Sequence, residues 1–185
     1  QEVQVFEEHK EIGKPVQCTG ILTNYLNDII KVDETFLVNK ITKIKIYSPD
    51  LKNSEFKLKK PNFIIDRTKF DNYLADKAIK AGAKIYFDSK FLDYKTDYIK
   101  IKTKNKIKTF KTDYLVGADG PNSSVSRVCD FKGKREFLLG MQARLKGNFD
   151  KDTFSSYFGN IAPGFFAWIV PENEKIARIG IVGDE

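Results

Sequence analysis

Histidine is nearly absent from this chain of 185 residues: His9 is the only one. Serine and cysteine hydrolases need a base beside the nucleophile. His9 sits among Glu7, Glu8, Lys10 and Glu11, just after a strand-like run, and reads as an exposed bystander. Cysteine is also scarce. Cys18 and Cys129 lie far apart, without the spacing of a zinc site or a disulfide framework, so no metal is expected and a reducing, cytoplasmic setting fits. No run of about 18 apolar residues occurs, which excludes a spanning helix. Any membrane contact is therefore expected to be peripheral.

What the chain does have is lysine. The net charge is +7, and the excess lies in stretches such as Lys40-Ile-Thr-Lys43-Ile-Lys45 and Lys100–Lys111, where Lys alternates with Ile, Thr or Phe. Alternation of that kind puts Lys on the solvent face of a strand. A surface drawn to anionic lipid or nucleic acid is the competing reading, and no nucleic-acid motif supports the latter. Apolar residues make up 41% and aromatics 13%, enough for a packed core. The chain opens on Gln1, has its single Met at position 141, and runs strand-like almost to both ends. It is expected to be an internal fragment of a larger protein.

Val3–Phe6 reads as a strand ending in Glu7-Glu8-His9, followed by a turn-rich loop through Cys18-Thr19-Gly20. Leu22–Ile30 has the spacing of a short helix. Phe36–Tyr47 and Glu55–Leu58 alternate in period two across a Ser48-Pro49-Asp50 turn. Asp66–Ala81 is the clearest helix, with Phe70, Leu74, Ala78 and Ala81 at helical spacing and Gly82 as its C-cap. Ala83–Phe87 reads as a strand, and Tyr98–Thr103 with Ile107–Phe110 as a hairpin across Lys104-Asn105-Lys106. Tyr114–Val116 is expected to be a short buried strand, running through Gly117-Ala118-Asp119-Gly120-Pro121 into a helix that opens at Ser123-Ser124. Met141–Leu145, Thr153–Phe158, Phe166–Val170 and Ile176–Val182 then predict a mostly antiparallel sheet.

Several positions carry candidate chemistry. Glu7 ends the first strand, where a carboxylate can accept both ribose hydroxyls of an adenine dinucleotide; an ordinary polar strand end is the alternative. Cys18, Thr19 and Gly20 form a loop that could approach a flavin ring, or Cys18 is simply a small buried residue. Arg67 sits in the first turn of its helix, where the macrodipole gives no reason for a cation. Its planar fork suits a pyrophosphate or a flavin edge. Asp119 and Gly120 suit ribityl or ribose hydroxyls, or make a plain turn before a helix cap. Phe166 and Trp168 share a strand face in Pro163–Pro171 that would line an apolar pocket or fill a sheet core.

Taken in order, these segments resemble the geranylgeranyl reductases of the p-hydroxybenzoate hydroxylase-like FAD superfamily. The resemblance runs through V-F-E-E, P-V-Q-C-T-G, I-D-R-T-K-F-D, A-G-A-K-I, L-V-G-A-D-G-P-N-S-S-V-S-R and P-G-F-F-A-W-I-V-P. It implies an FAD-dependent oxidoreductase that saturates isoprenoid double bonds on a lipid precursor, with NAD(P)H or ferredoxin as reductant. By the resemblance Glu7 would hold the adenosine ribose, and Cys18, Thr19 and Gly20 would lie along the flavin. Arg67 would touch the cofactor, and Phe91 would face the adenine through its backbone. Asp119 and Gly120 would lie near the pyrophosphate and ribityl chain, and Phe166 and Trp168 would line the isoprenoid pocket. Cys18 is the candidate acid.

The Cys18–Ile21 loop is one residue tighter than the family pattern, and Phe166 stands where Tyr is commoner. The family's first strand with its G-x-G-x-x-G loop would precede Gln1, and a later Gly-Asp segment would follow Glu185. The implied fold class is α/β (α+β mixed). Residues 1–34 and 62–130 form a partial FAD-binding domain, and 35–61 and 131–185 a substrate-binding sheet. A flavin hydroxylase and a non-catalytic binding fragment without FAD are the alternatives.

Overall fold

The computed structural model describes residues 2–104, 106–131, 133 and 136–183. In chain order its elements are β1 (Gln4–Phe6), β2 (Ile21–Leu22), β3 (Leu37–Tyr47), β4 (Asn53–Ile65), α1 (Arg67–Lys80), β5 (Lys84–Tyr86), β6 (Ser89–Lys95), β7 (Tyr98–Thr103), β8 (Lys106–Lys111), α2 (Ser124–Val128), β9 (Leu139–Lys146), β10 (Thr153–Tyr157), β11 (Ala167–Pro171) and β12 (Ile176–Gly183). The result is a strand-rich mixed α/β chain. It divides into two compact units, one of Gln1–Pro15 with Asp71–Arg135, the other of Val16–Phe70 with Glu136–Glu185. The sequence reading drew its boundaries elsewhere. Residues 16–34 and 62–70 group with the larger sheet because β2 pairs with β4, and β4 runs unbroken to Ile65.

In the first unit β1 lies parallel to β5, with Val5 opposite Ile85. Beside them β6, β7 and β8 form an antiparallel meander. Ile99 and Ile101 of β7 are buried, and the intervening lysines point outward, as a period-two strand requires. Phe6 stacks on Tyr86 and tilts against Phe110, at ring separations of 5.3 and 5.0 Å.

The second unit is a seven-stranded sheet in the order β2-β4-β3-β10-β11-β12-β9. Every neighbouring pair is antiparallel except β3 with β10. Its core centres on Ile41, Ile64 and Val170, all fully buried, with Ile21, Leu58, Phe154 and Trp168 packed around them. Pro61, which has no N–H to give a ladder, falls where the β3–β4 register shifts.

Helix α1 begins where the Asp66 carboxylate accepts the Lys69 N–H at 3.0 Å. Lys77 and Lys80 occupy its last turn, and Gly82 and Ala83 donate to Ile79 and Ala78 beyond it. Of the expected apolar face Phe70 is buried against Phe36, Leu74 and Ala78 are half-buried, and Ala81 is exposed.

Three expectations are corrected, and one strand was not foreseen. Tyr114–Val116 forms no strand: no neighbouring strand among the described residues pairs with it, and Tyr114 and Val116 are 79% and 84% exposed. Leu22–Ile30 is helical only in part: Leu22 pairs with β4 in β2, and a 3-10 helix covers Asn24–Asp28 and buries none of its residues. A strand missing from the sequence reading, β6, carries Phe91. Phe166 lies just before β11 rather than in it. Asn105 of the hairpin turn, Gln1 and the terminal Asp184-Glu185 lie outside the described residues.

Gly180 of β12 faces Trp168 of β11 so closely that a Cβ there would fall 2.3 Å from the indole. Gly180→Ala should therefore lower stability by about 1–3 kcal/mol through overpacking. A fall in the denaturant midpoint at unchanged m-value checks this.

Candidate functional site

Each unit assembles part of the expected site. In the sheet unit the Val16–Gly20 loop has no regular structure and is fixed by side chains arriving from β9 and β12. Arg178 on β12 donates through Nη1 to the Thr19 carbonyl at 2.5 Å and to the Ile65 carbonyl at 2.9 Å. The Thr19 hydroxyl donates to Gln142 Oε1 at 2.6 Å, and Trp168 Nε1 donates to the same oxygen at 3.2 Å. Both partners are donors there, which sets the orientation of the Gln142 amide. Gly20 N–H donates to Cys18 Sγ at 3.3 Å, and the Gly20 carbonyl accepts the Ile65 N–H at 2.9 Å. Gly20 has a φ of +79°, and a Cβ there would lie 2.7 Å from both Arg178 Nη1 and the Ile65 carbonyl oxygen. Glycine at this position is demanded by the arginine and the β4 backbone.

Arg178 is itself held by Glu172, whose Oε1 accepts from Arg178 Nε at 2.8 Å. Its Oε2 accepts from Arg144 Nε at 2.8 Å and Nη2 at 2.7 Å. Arg144 and Arg178 are direct cross-strand partners. Two cations so placed repel, and Glu172 bridges them. The Glu172 side chain is only 8% exposed. Burial works to raise its pKa, but the two guanidiniums outweigh burial and hold the carboxyl below its ordinary range.

In the other unit Glu7 follows β1, and its Oε1 is engaged by the His9 backbone N–H at 2.8 Å and by His9 Nδ1 at 2.7 Å. His9 is thus exposed yet tied to a candidate residue. Asp119 caps α2. Its Oδ1 accepts from the Ser123 hydroxyl at 2.5 Å, and its Oδ2 accepts from the N–H groups of Ser124 and Val125 at 2.6 and 3.1 Å. Burial tends to raise its pKa, but the Ser123 hydroxyl and these N–H groups pull it below the usual carboxylate range. Gly120 follows at a φ of +75°. Phe91 lies on β6, against which α2 packs, and the Asp119 charge reaches Glu8 beside Glu7.

The structure therefore brings Thr19, Gly20 and Trp168 together through Gln142 and Arg178, with the Phe166 ring edge-on to Trp168 at 5.9 Å. Cys18, in the same loop, is exposed. Arg67 opens α1 near Gly20, its Cγ 3.5 Å from where a Gly20 Cβ would sit. Glu7, Phe91, Asp119 and Gly120 group separately, within the other unit. The sequence reading missed Gln142, Arg144, Glu172 and Arg178. A charged residue inside the apolar run Ile176–Val182 was the available signal. No cluster of potential metal ligands occurs among the described residues, and none of their helices is long and apolar enough to cross a membrane.

The FAD binding domain family matches residues 13–181. A digeranylgeranylglycerophospholipid reductase of Thermoplasma volcanium is 32% identical, over 96% of this chain and 49% of its own length. Another, from Methanosphaera stadtmanae, is 30% identical over 96% of this chain and 49% of its own. The chain thus spans about half the length of the curated relatives it matches. A crystal structure of a geranylgeranyl bacteriochlorophyll reductase-like protein from Thermoplasma acidophilum superposes with a TM-score of 0.92 at 29% identity, over 98% of this chain and 50% of that one. A flavin-dependent brominase shares the fold at a TM-score of 0.79 and 18% identity.

Glu172 has a depressed carboxyl in the folded state and an ordinary one when unfolded. Its contribution to stability is complete above the ordinary carboxylate range and disappears as pH falls through the depressed value. Glu172→Gln should lower Tm at neutral pH and narrow its gap to the parent protein on acidification. Thermal melts at stepped pH check the sign.

Proposed function

Because the chain belongs to the FAD binding domain family, we propose that it is part of an FAD-dependent reductase that saturates isolated double bonds in the geranylgeranyl chains of a lipid precursor. One observation carries the reading: relatives about 30% identical across nearly all of this chain are named digeranylgeranylglycerophospholipid reductases. The site geometry supports it. The Cys18–Gly20 loop is tied to the Trp168 strand within one unit, setting a thiol and an aromatic wall on a common frame.

On this reading each unit contributes residues of a type suited to FAD. Glu7 supplies a carboxylate at the end of a parallel strand for ribose hydroxyls, and the backbone of Phe91 and the Asp119-Gly120 turn lie in the same unit. Arg67 supplies a cation and planar fork, and the Cys18–Gly20 backbone offers a narrow edge to a flat ring. FAD, when bound and reduced, supplies the hydride. Phe166 and Trp168 hold the isoprenoid chain by apolar contact and exclude water from it. Cys18 Sγ holds the proton that goes to the alkene carbon not receiving hydride, and regains it from solvent.

The lipid substrate also calls for membrane contact. Residues 95–111 carry seven lysines against Asp97 alone. Lys100 pairs with Asp93, while Lys95, Lys102, Lys104, Lys106, Lys108 and Lys111 have no carboxylate partner among the described residues. Tyr98 and Ile107 stand exposed on the outer face with Lys100 and Lys102. This β7–β8 hairpin is suited to an anionic bilayer, where each lysine contributes about 1 kcal/mol.

The full-length protein, reduced without oxygen and given a geranylgeranyl phospholipid, should add one hydrogen pair per double bond, read by mass spectrometry. Oxygen-dependent hydroxylation with the alkenes intact would instead make it a hydroxylase. In a separate measurement, replacing Lys95, Lys102 and Lys111, which share the outer face with Tyr98 and Ile107, by Gln should weaken co-sedimentation with anionic vesicles by roughly tenfold or more. It should leave binding to neutral vesicles unchanged.

A further inference from the structure

The Val16–Gly20 loop bears the one thiol proposed to act, yet it forms no ladder of its own. Its peptide groups are held at few points: the Gly20 carbonyl by Ile65 N–H, Gly20 N–H by Cys18 Sγ, and the Thr19 carbonyl by Arg178. Of these anchors only the Arg178 bond is charge-assisted, and such bonds are roughly twice as strong as neutral ones. Arg178 also joins the Thr19 carbonyl to the Ile65 carbonyl through a single nitrogen, stapling the loop to the end of β4.

That staple needs an arginine in particular. Nη1 must reach two carbonyls while Nε, on the other side of the plane's fork, meets Glu172. A lysine ammonium is a single point of charge and cannot span these positions. Glu172 leaves the guanidinium little freedom: the carboxylate is buried, and its second oxygen is taken by Arg144. Gly20 completes the fit, since any side chain there would occupy the guanidinium's place.

We propose that Arg178, locked by Glu172, is the positioning residue that sets the Cys18-Thr19-Gly20 loop, and through it the Cys18 thiol, against the flavin. Its aim at the flavin rests on the reductase reading above; its hold on the loop does not. Arg144 shares Glu172 but makes no contact with the loop, so it serves as the matched control.

The test uses the full-length holoenzyme and its Arg178→Lys and Arg144→Lys variants. Amide hydrogen exchange should accelerate roughly tenfold or more across residues 16–22 and at Ile65 in Arg178→Lys, as expected on losing a charge-assisted bond. Exchange in β7 and β8 should be unaltered, and Arg144→Lys should resemble the parent protein. Alkene reduction by Arg178→Lys should show a lowered kcat at nearly constant KM, and that loss should vanish in a Cys18→Ala background. If Arg178→Lys does not fold, Glu172→Gln replaces it, with exchange rising in the same residues.

Unchanged loop exchange in a folded variant overturns the proposal, as does an equal kcat loss with and without Cys18. A parent enzyme inactive on prenyl lipids would refute the reductase reading alone, and the exchange result would still decide whether Arg178 holds the loop.

Discussion

A carboxylate that is only 8% exposed must be neutralised where it sits, because an unpaired buried charge costs several kcal/mol. Glu172 meets that constraint with two arginines that would repel each other without it. Each arginine takes its own oxygen of that carboxylate, and only Arg178 reaches on to the loop. Arg144 and Arg178 can be direct neighbours across β9 and β12 only because Glu172 lies between them. Removing one partner from such a group is costly, commonly about 3–5 kcal/mol, so its value lies in fixing a unique arrangement more than in added stability.

From this charge centre the order spreads outward. Arg178 fixes the Thr19 and Ile65 carbonyls, which sets the end of β4 and the loop before β2. Gln142 fixes the Thr19 side chain and the Trp168 indole in one step. The sequence offers the Cys18-Thr19-Gly20 loop as an approach to a flat cofactor and gives no separate reason for glycine at position 20. The structure gives one, because the space beside that glycine is filled by the guanidinium and the Ile65 carbonyl. Small size in a motif thus records what the protein itself packs there, and a ligand need not be the reason.

How much was legible follows from whether the signal is local. Helix α1 was readable because Asp66 at its start and Gly82 at its end act within one turn. The β7 strand was readable because Ile99 and Ile101 alternate with lysines. The β6 strand was missed because its register shifts between Phe91 and Asp93, which breaks the period-two pattern. Tyr114–Val116 had strand composition, but a strand also needs a neighbour to bond. Arg178 was passed over for a related reason. A charged residue in a strand reads as solvent-facing, and its carbonyl partner Thr19 lies 159 residues away in sequence. Capping residues announce themselves, whereas a residue whose partners are distant does not.

The single parallel pairing in the large sheet has a consequence for how the chain is made. Lys43 of β3 is partnered by Thr153 of β10, about 110 residues later, while the other edge of β3 is taken at once by β4. At ribosomal speeds of about 5–20 residues per second, the open edge waits roughly 5–20 seconds for its partner. An unpaired edge of that length invites other chains. Lys45 pairs with Glu55 of β4, but Lys40 and Lys43 also line this strand, and charge of that kind makes an open edge a poor template for another copy.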